Sequence, residues 1–394
     1  MSFLSKKICL VHRPLSFLNQ NSFQGTNSCT KLLAVRNYAT KIKSGKVTKG
    51  VFKLGLAGLT VGAIMGTGYS IHQMNKPRAH IINEQTFISA VKEIPDIKPS
   101  RKIKILGDRS GLKLTLFQYQ TCPFCCKVRA FLDYYGISYD IVEVDPVLRQ
   151  SIKWSTYKKV PILVAKTEEG YQPLNDSTMI ISTLASYLID TKKDIPEIVK
   201  CFPFMEYVDE NGSKKKDIMN KYFLMLSSQS PHLNEKENTE ERNWRKWADD
   251  VLVHTLSPNV YRTKDEALQA FNWFSEVGEW EQNFPAWERN LIIYVGASAM
   301  WLIGKRLRKR HNLKQDVRES LYDECNKWIR AINAKGTKFM GGNQPNLADL
   351  AVYGVLSSIE GCIAFNDIIS RTNIGKWYYP MKQAVTQHQG AAFI

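Results

Sequence analysis

The chain has 394 residues, a net charge of +17 and 44% hydrophobic residues, which suits a globular protein of two domains with extras. The charge is lopsided: twelve Lys and Arg precede the first acidic residue, Glu84, leaving an excess of only +5 beyond it. That distribution argues against a nucleic-acid-binding body, and eight scattered cysteines in a chain this long do not make a disulfide framework.

Residues 1–49 are basic, rich in Ser, Thr and Asn, and free of acidic residues. That is the composition of a mitochondrial transit segment, and Arg36-Asn-Tyr-Ala39 resembles a processing site. Leu54 to Ile71 carries no charge, and its eighteen residues reach the lower limit of a membrane span. Gly58, Gly62 and Gly66 share one helical face, as close helix packing in lipid requires. We therefore expect a membrane anchor within 50–72. Basic flanks at both ends leave its orientation open. Residues 73–110 read as a linker ending in a short strand, Lys102–Leu106.

The chemistry concentrates between residues 112 and 135. Leu112–Tyr119 has the residues of a strand. Cys125, Val128, Leu132 and Tyr135 recur at helical spacing. Between the two elements lies Cys122-Pro-Phe-Cys125. A Cys-x-x-Cys at a strand-to-helix turn is a thioredoxin-like redox signature. The free N–H groups and positive dipole end of the helix favour a thiolate at Cys122. Pro123 suits the first helical turn because it lacks an N–H that would go unpaired. Cys125 shares the helical face of Cys122 and is a redox partner or a support.

Gly136 is placed as a helix C-cap. Tyr139–Val144 alternates as a strand, completing a βαβ unit of about thirty residues. A short helix is expected from Pro146 to Tyr157, then strands at 159–164 and 171–174. Asp176 and Ser177 then cap an apolar helix, Met179–Leu188. Tyr207–Ser213 contains an Asn-Gly turn signal that suggests a hairpin, and Lys214–Lys216 reads as a solvated charge run.

From Trp244 onward the pattern is helical. Trp244, Trp247, Val251 and His254 share one face and read as core. Thr263-Lys-Asp-Glu266 is a capping-box pattern. Leu291–Gly304 is apolar all round but too short to span a bilayer, so a central buried helix is expected. Its tail, Lys305–His311, places cations at the negative end of that helix; a membrane-surface or fatty-acid-carboxylate role is the alternative reading. Val317–Ile332 is amphipathic, and Asn346 with Asp349 caps a last long helix. His232 and His254 read as structural residues rather than bases.

The order of βαβ, a strand after Val160-Pro161, another strand and a capped helix resembles the thioredoxin-fold half of glutaredoxins and glutathione transferases. The likeness narrows further. Tyr119-x-x-Cys122-Pro-Phe-Cys125-x-Lys127-Val-Arg-Ala-Phe-Leu132, Lys159-Val-Pro-Ile-Leu-Val-Ala165, Leu174-Asn-Asp-Ser177, Trp247-Ala-Asp-Asp, Ser257-Pro-Asn-Val-Tyr-Arg262 and Phe339-Met-Gly-Gly with Pro345–Gly354 resemble the prostaglandin E synthase 2 family. Cys126 is a departure, since a Ser is expected there; a third thiol could add disulfide side reactions.

The resemblance implies an α/β thioredoxin-like, glutaredoxin-type domain followed by an all-α, glutathione transferase-like helical domain, behind a membrane anchor. The expected boundaries are 111–190 for the first domain, 191–240 for a linker with a hairpin, and 241–390 for the helical domain. It further implies isomerisation of prostaglandin H2 to prostaglandin E2, with Cys122 as the catalytic thiol and Tyr119 hydrogen-bonding it. Val160, Asp176 and Ser177 would hold glutathione, and Pro161 would be cis. A haem would take the Cys122 thiolate as its axial ligand. The superfamily habit is a homodimer. The family implies Golgi or perinuclear membrane, the N-terminal composition implies mitochondria, and a processed soluble form stays open. Two alternatives use the same residues: a glutathione-dependent thiol-disulfide oxidoreductase or glutathione transferase, and a non-enzymatic haem- and glutathione-binding membrane protein.

Overall fold

A computed structural model describes residues 80–393 apart from 192, 209–211 and 226–234. The expected transit segment, the anchor at 54–71 and His232 lie outside these residues. Among the described residues, no helix is long and apolar enough to cross a membrane.

The first layer is built from β1 (His80–Thr86), β2 (Arg101–Ile103), β3 (Leu114–Gln118), α1 (Pro123–Tyr134), β4 (Tyr139–Glu143), β5 (Ile162–Thr167), β6 (Gly170–Asn175) and α2 (Ser177–Ile189). Five strands form one sheet in the order β2-β4-β3-β5-β6. β3 and β4 are parallel, joined across α1, while β5 and β6 run antiparallel. This is the thioredoxin-like arrangement. Both faces of β3 are covered. Leu116 packs with Val128, Phe131 and Leu132 of α1, and Phe117 packs on the other side with Val142, Ile162 and Val164. Full burial of each such side chain contributes about 1.5–3 kcal/mol. Gly136, at φ +66°, ends α1, with its N–H on the Asp133 carbonyl and that of Ile137 on Leu132.

Two stretches depart from the sequence reading here. The helix expected from Pro146 to Tyr157 is reduced to a single 3₁₀ turn, Gln150–Ile152. Asp145 draws the Val147 and Leu148 N–H groups onto its own carboxylate, and Arg149 turns left-handed at φ 51°. The stretch read as a linker, 73–110, holds β1 as well as β2. β1 pairs antiparallel with β7 (Phe204–Val208), and β7 pairs with β8 (Lys214–Ile218), so the expected hairpin is part of a three-stranded sheet.

The helical part begins with the short α3 (Ile195–Val199). It continues through α4 (Glu235–Trp247), a π-turn (Ala248–Leu252), α5 (Val253–Val260), α6 (Lys264–Val277), α7 (Trp280–Asn283), α8 (Ala286–Leu291) and a second π-turn (Ile292–Gly296). α9 (Ala297–Arg310), α10 (Val317–Lys335), α11 (Leu347–Ser357), α12 (Ile363–Arg371) and α13 (Gly375–Thr386) complete it. The tryptophan stripe is core: Trp244, Trp247, Trp328 and Trp377 pack ring on ring. Val251 and His254, expected on the same face, are instead exposed. The π-turn, which contains Val251 and precedes His254, adds a residue to the helical repeat and shifts the phase, so Leu252, Val253, Leu256 and Val260 turn inward.

Leu291–Gly304 is not a central buried helix. Ile292, Ile293, Ala297 and Gly304 are buried and Met300 and Trp301 pack partly buried against the core, while Leu291, Tyr294, Val295, Leu302 and Ile303 are exposed. Overall hydrophobicity did not reveal which side was covered.

Asn346 and Asp349 form the expected reciprocal cap. Asp349, fully buried, also accepts from the Met340 and Gly341 N–H groups and from Trp377 Nε1. α11 lies directly against α1. A Cβ on Gly354 would sit 2.5 Å from Lys127 Cα, so only glycine permits this approach.

Candidate active site

Register gathers the expected residues at one edge of the sheet. Phe117 of β3 lies opposite Ile162 of β5, and Ile162 lies opposite Asn175 of β6. The segments that leave these positions are Tyr119–Cys122, Val160-Pro161 and Asp176-Ser177. They therefore emerge side by side. The Val160-Pro161 peptide is cis, as expected.

Cys122 is the N-cap of α1, with extended backbone (φ −73°, ψ 123°) and Pro123 just inside the helix. Its thiol is half-buried. The Cys125 thiol donates a hydrogen bond to its sulfur, which is the largest influence drawing the Cys122 pKa below the ordinary thiol value. Burial opposes this. The Cys125 and Phe124 N–H groups and the Arg129 guanidinium add to the lowering, and the net shift is downward. Cys125 goes the other way: it is fully buried, and burial together with the bond it gives holds its pKa well above the usual range. Cys122 is thus the more acidic thiol of the pair.

The turn carrying Cys122 is fastened from beneath. Gln120 N–H donates to Glu143 Oε1 at 2.6 Å, and Arg129 Nη2 donates to the Gln120 carbonyl at 2.7 Å. Cys122 N–H closes the turn on the Tyr119 carbonyl at 3.1 Å. Cys126 does not behave as a spare thiol at this site. It is buried, donates to the Gln120 carbonyl at 3.4 Å and accepts from Arg129 Nη2 at 3.1 Å. It lines a separate cavity of about 260 Å³ with Arg129, Asp133, Trp273 and Tyr353. Burial pushes its pKa up.

The Tyr119 hydroxyl makes no hydrogen bond to Cys122 in this structure. Burial raises the Tyr119 pKa, Arg149 opposes, and the charge of Cys122 adds to the rise. Two tyrosines that sequence reasoning did not single out lie in the same field. Burial and the charges of Asp176, Cys125 and Cys122 all raise the Tyr157 pKa. Tyr261, at the end of α5, has its pKa raised by burial first, then by the charges of Cys362 and Cys122. The only sequence signal for Tyr157 was its place just before Val-Pro, inside the segment expected to be helical.

At the β6–α2 corner, Asp176 sits at φ 69°. Its Oδ1 accepts from the Thr178 and Met179 N–H groups, and its Oδ2 lies 3.9 Å from Lys221 Nζ. Ser177 is buried. Beside them, Asn175 Oδ1 is buried without a hydrogen-bond partner. An orphaned acceptor beside a capped helix N-terminus and a nearby lysine suits a small zwitterion that brings both a donor and a carboxylate.

A buried network ties this site to the helical part. Lys127 of α1 pairs with Asp249 in the first π-turn. Thr178 and Tyr222 donate to the other oxygen of Asp249, at 2.6 and 3.1 Å. Arg245, almost fully buried, binds Ser182 Oγ and the Tyr222 carbonyl. His254 takes no part; its ring stacks on His311, centroids 4.3 Å apart. Among the described residues, no group of three or more His, Cys, Asp or Glu side chains is arranged to hold a metal ion.

The glutaredoxin family profile matches residues 114–169. Prostaglandin E synthase 2 of Mus musculus is 40% identical over 380 residues, covering 95% of this chain and 90% of that one. Prostaglandin E synthase 2 of Danio rerio is 49% identical over 282 residues, covering 71% of this chain and 72% of that one. Among solved structures, glutathione transferase F7 from Populus trichocarpa aligns with a TM-score of 0.39 at 14% identity, over 71% of this chain and 99% of that one. On the length and identity of the two curated relatives, the chain belongs to the prostaglandin E synthase 2 family.

Proposed function

We propose that the chain isomerises prostaglandin H2 to prostaglandin E2 with Cys122 as nucleophile. The observation that carries this reading is the division of labour in the Cys-Pro-Phe-Cys turn: Cys122 alone among its thiols is held below its ordinary pKa. A soft thiolate attacks weak O–O bonds readily. Its lone pair forms an S–O bond to one peroxide oxygen, the O–O bond breaks, and that electron pair leaves on the other oxygen. This alkoxide takes a proton and becomes the hydroxyl, with Tyr119 the nearby phenol suited to supply it. Loss of the proton from the carbon bearing the S–O group then forms the ketone, and the S–O pair returns to sulfur. Nothing is oxidised or reduced overall, so Cys125 serves as hydrogen-bond donor and need not form a disulfide.

Glutathione fits the β6–α2 corner. Its carboxylate would lie toward the start of α2 and Lys221, its ammonium would meet the orphaned Asn175 Oδ1, and its backbone would pair with Val160 beside cis-Pro161. The Cys122 thiolate also has the donor chemistry of a haem axial ligand, and haem bound there would occupy the nucleophile. Association with a membrane through residues 54–71, in a Golgi, perinuclear or mitochondrial setting, and assembly as a homodimer belong to the same reading.

A second reading is favoured by the Cys122–Cys125 contact itself: a glutathione-dependent thiol-disulfide oxidoreductase in which Cys125 resolves a mixed disulfide. Purified full-length chain decides between them. We expect Cys122→Ser to abolish isomerase turnover and Cys125→Ser to keep most of it. Equal loss in both variants, with disulfide reduction in the unaltered chain, would favour the oxidoreductase.

A further inference from the structure

α8, the second π-turn and α9 carry an exposed stripe that serves no purpose in the active site. Trp287, Leu291, Val295, Leu302, Arg306 and Arg310 follow one another at steps of four, four, seven, four and four residues, which keeps them on one helical face. All six are exposed. The apolar members are 59%, 42%, 57% and 56% accessible, values far from those of core residues, and Tyr294 at 62% and Ile303 at 40% flank them. Large aromatic and aliphatic side chains here face water in a continuous run.

The end of the stripe is strongly basic. Lys305, Arg306, Arg308, Lys309 and Arg310 close α9, and no acidic residue occurs between Arg289 and Gln315. None of the five is in an ion pair with a carboxylate among the described residues; Lys305 instead lies over the Trp301 ring at 3.9 Å, and Arg308 donates to the Gln315 carbonyl. An apolar run bearing Trp and Tyr, ending in clustered cations, has the makeup of a helix that lies in a bilayer interface.

We propose that this face docks on an anionic lipid bilayer, with Trp287, Leu291, Val295 and Leu302 in the acyl boundary and the cations on headgroups. Charge complementarity selects this occupant. A second copy seated face to face would set one cationic cluster against another. Residues 1–79 of the same chain carry twelve cations and no acidic residue, so they offer no counter-charge either. The contact is independent of the expected anchor at 54–71, and it would hold the folded body at a fixed orientation to the membrane. A substrate arriving through lipid would then meet a body oriented on that surface.

Co-sedimentation of the full-length chain with vesicles of phosphatidylcholine, with and without phosphatidylserine, reads the charge. Arg306→Glu/Lys309→Glu/Arg310→Glu should lower partition onto the phosphatidylserine vesicles by about tenfold or more. Leu302→Ser/Ile303→Ser should weaken it on both. Because an inserted N-terminal anchor could mask such losses, quenching of tryptophan emission by brominated phosphatidylcholine gives a second reading. The unaltered chain should be quenched, and Trp287→Phe should remove a distinct part of that quenching. Unchanged quenching in Trp287→Phe overturns the proposal. Loss of self-association in the charge-reversed variant, with vesicle binding intact, overturns it too and makes the face a contact between copies.

Discussion

Cys125 moves the acidity of Cys122 one way and its own the other: a hydrogen bond from its thiol is the largest influence lowering the Cys122 pKa, whereas burial first, and that contact second, hold Cys125 well above the usual range. Burial alone would raise both. The bond stabilises charge on Cys122, while Cys125, enclosed by the core, keeps its proton. A motif often associated with disulfide exchange is arranged here as an acid-base pair around one nucleophile.

The first prediction rests on that bond. Cys125→Ser retains a donor and should keep most activity. Cys125→Ala removes the largest influence lowering the Cys122 pKa. The active form is the thiolate, present above the pKa of Cys122 and lost as the pH falls through it. The acid limb of kcat/KM should therefore move to higher pH in Cys125→Ala and stay near its original position in Cys125→Ser. A pH-rate profile of the two variants checks this.

Lys127 and Asp249 join α1 to the first π-turn, and their separation should be costly. Lys127→Met leaves the Asp249 carboxylate enclosed, with only Thr178 and Tyr222 as donors. Breaking one side of a buried pair costs about 3–5 kcal/mol, seen as a lower midpoint in denaturant unfolding. The sign of the pH dependence is fixed by Asp249. Burial raises its pKa, Lys127 and the hydroxyl donors more than offset that, and the net value lies below the usual carboxylate range. Its contribution is full at neutral pH and lost only in acid, as the pH falls through that lowered value. In Lys127→Met the loss should begin at higher pH.

Gly354→Ala should destabilise by about 1–3 kcal/mol through overpacking, because the added methyl would lie against the Lys127 backbone. Thermal unfolding measures the cost. Displacement of α1 should also slow Cys122 alkylation, since the helix that supports the thiolate would shift.

Asn175→Ala tests the glutathione subsite. Loss of one hydrogen bond to a charged ammonium is worth about 1.5–3 kcal/mol, so affinity for glutathione should fall on the order of tenfold or more. Titration calorimetry on the purified chain reports it. Unchanged affinity would place glutathione elsewhere.

Much of the site could be read from the sequence because its signals are local. Pro123 after Cys122, Asp176 before an apolar helix and Asn346 three residues before Asp349 each declare a helix start through backbone groups that need partners. The contacts that escaped are those set by distant residues or by a slip in phase. Asp145 took the N–H groups that a helix after Pro146 would have used. The π-turn at Ala248–Leu252 displaced Val251 and His254 from the stripe predicted by a 3.6-residue repeat. β1 was invisible until β7 supplied its partner. In Leu291–Gly304, uniform hydrophobicity concealed which face was covered, and that is the face the membrane proposal uses.

Catalysis by this site depends most on ionisation of one sulfur. The direct measurement is the pH dependence of iodoacetamide alkylation, with Cys122 followed by peptide mapping. The alkylation rate should rise with an inflection below that of an ordinary thiol, about 8.5, and Cys125→Ala should move the inflection upward. An inflection at or above the ordinary value, unmoved by Cys125→Ala, would contradict the thiolate mechanism.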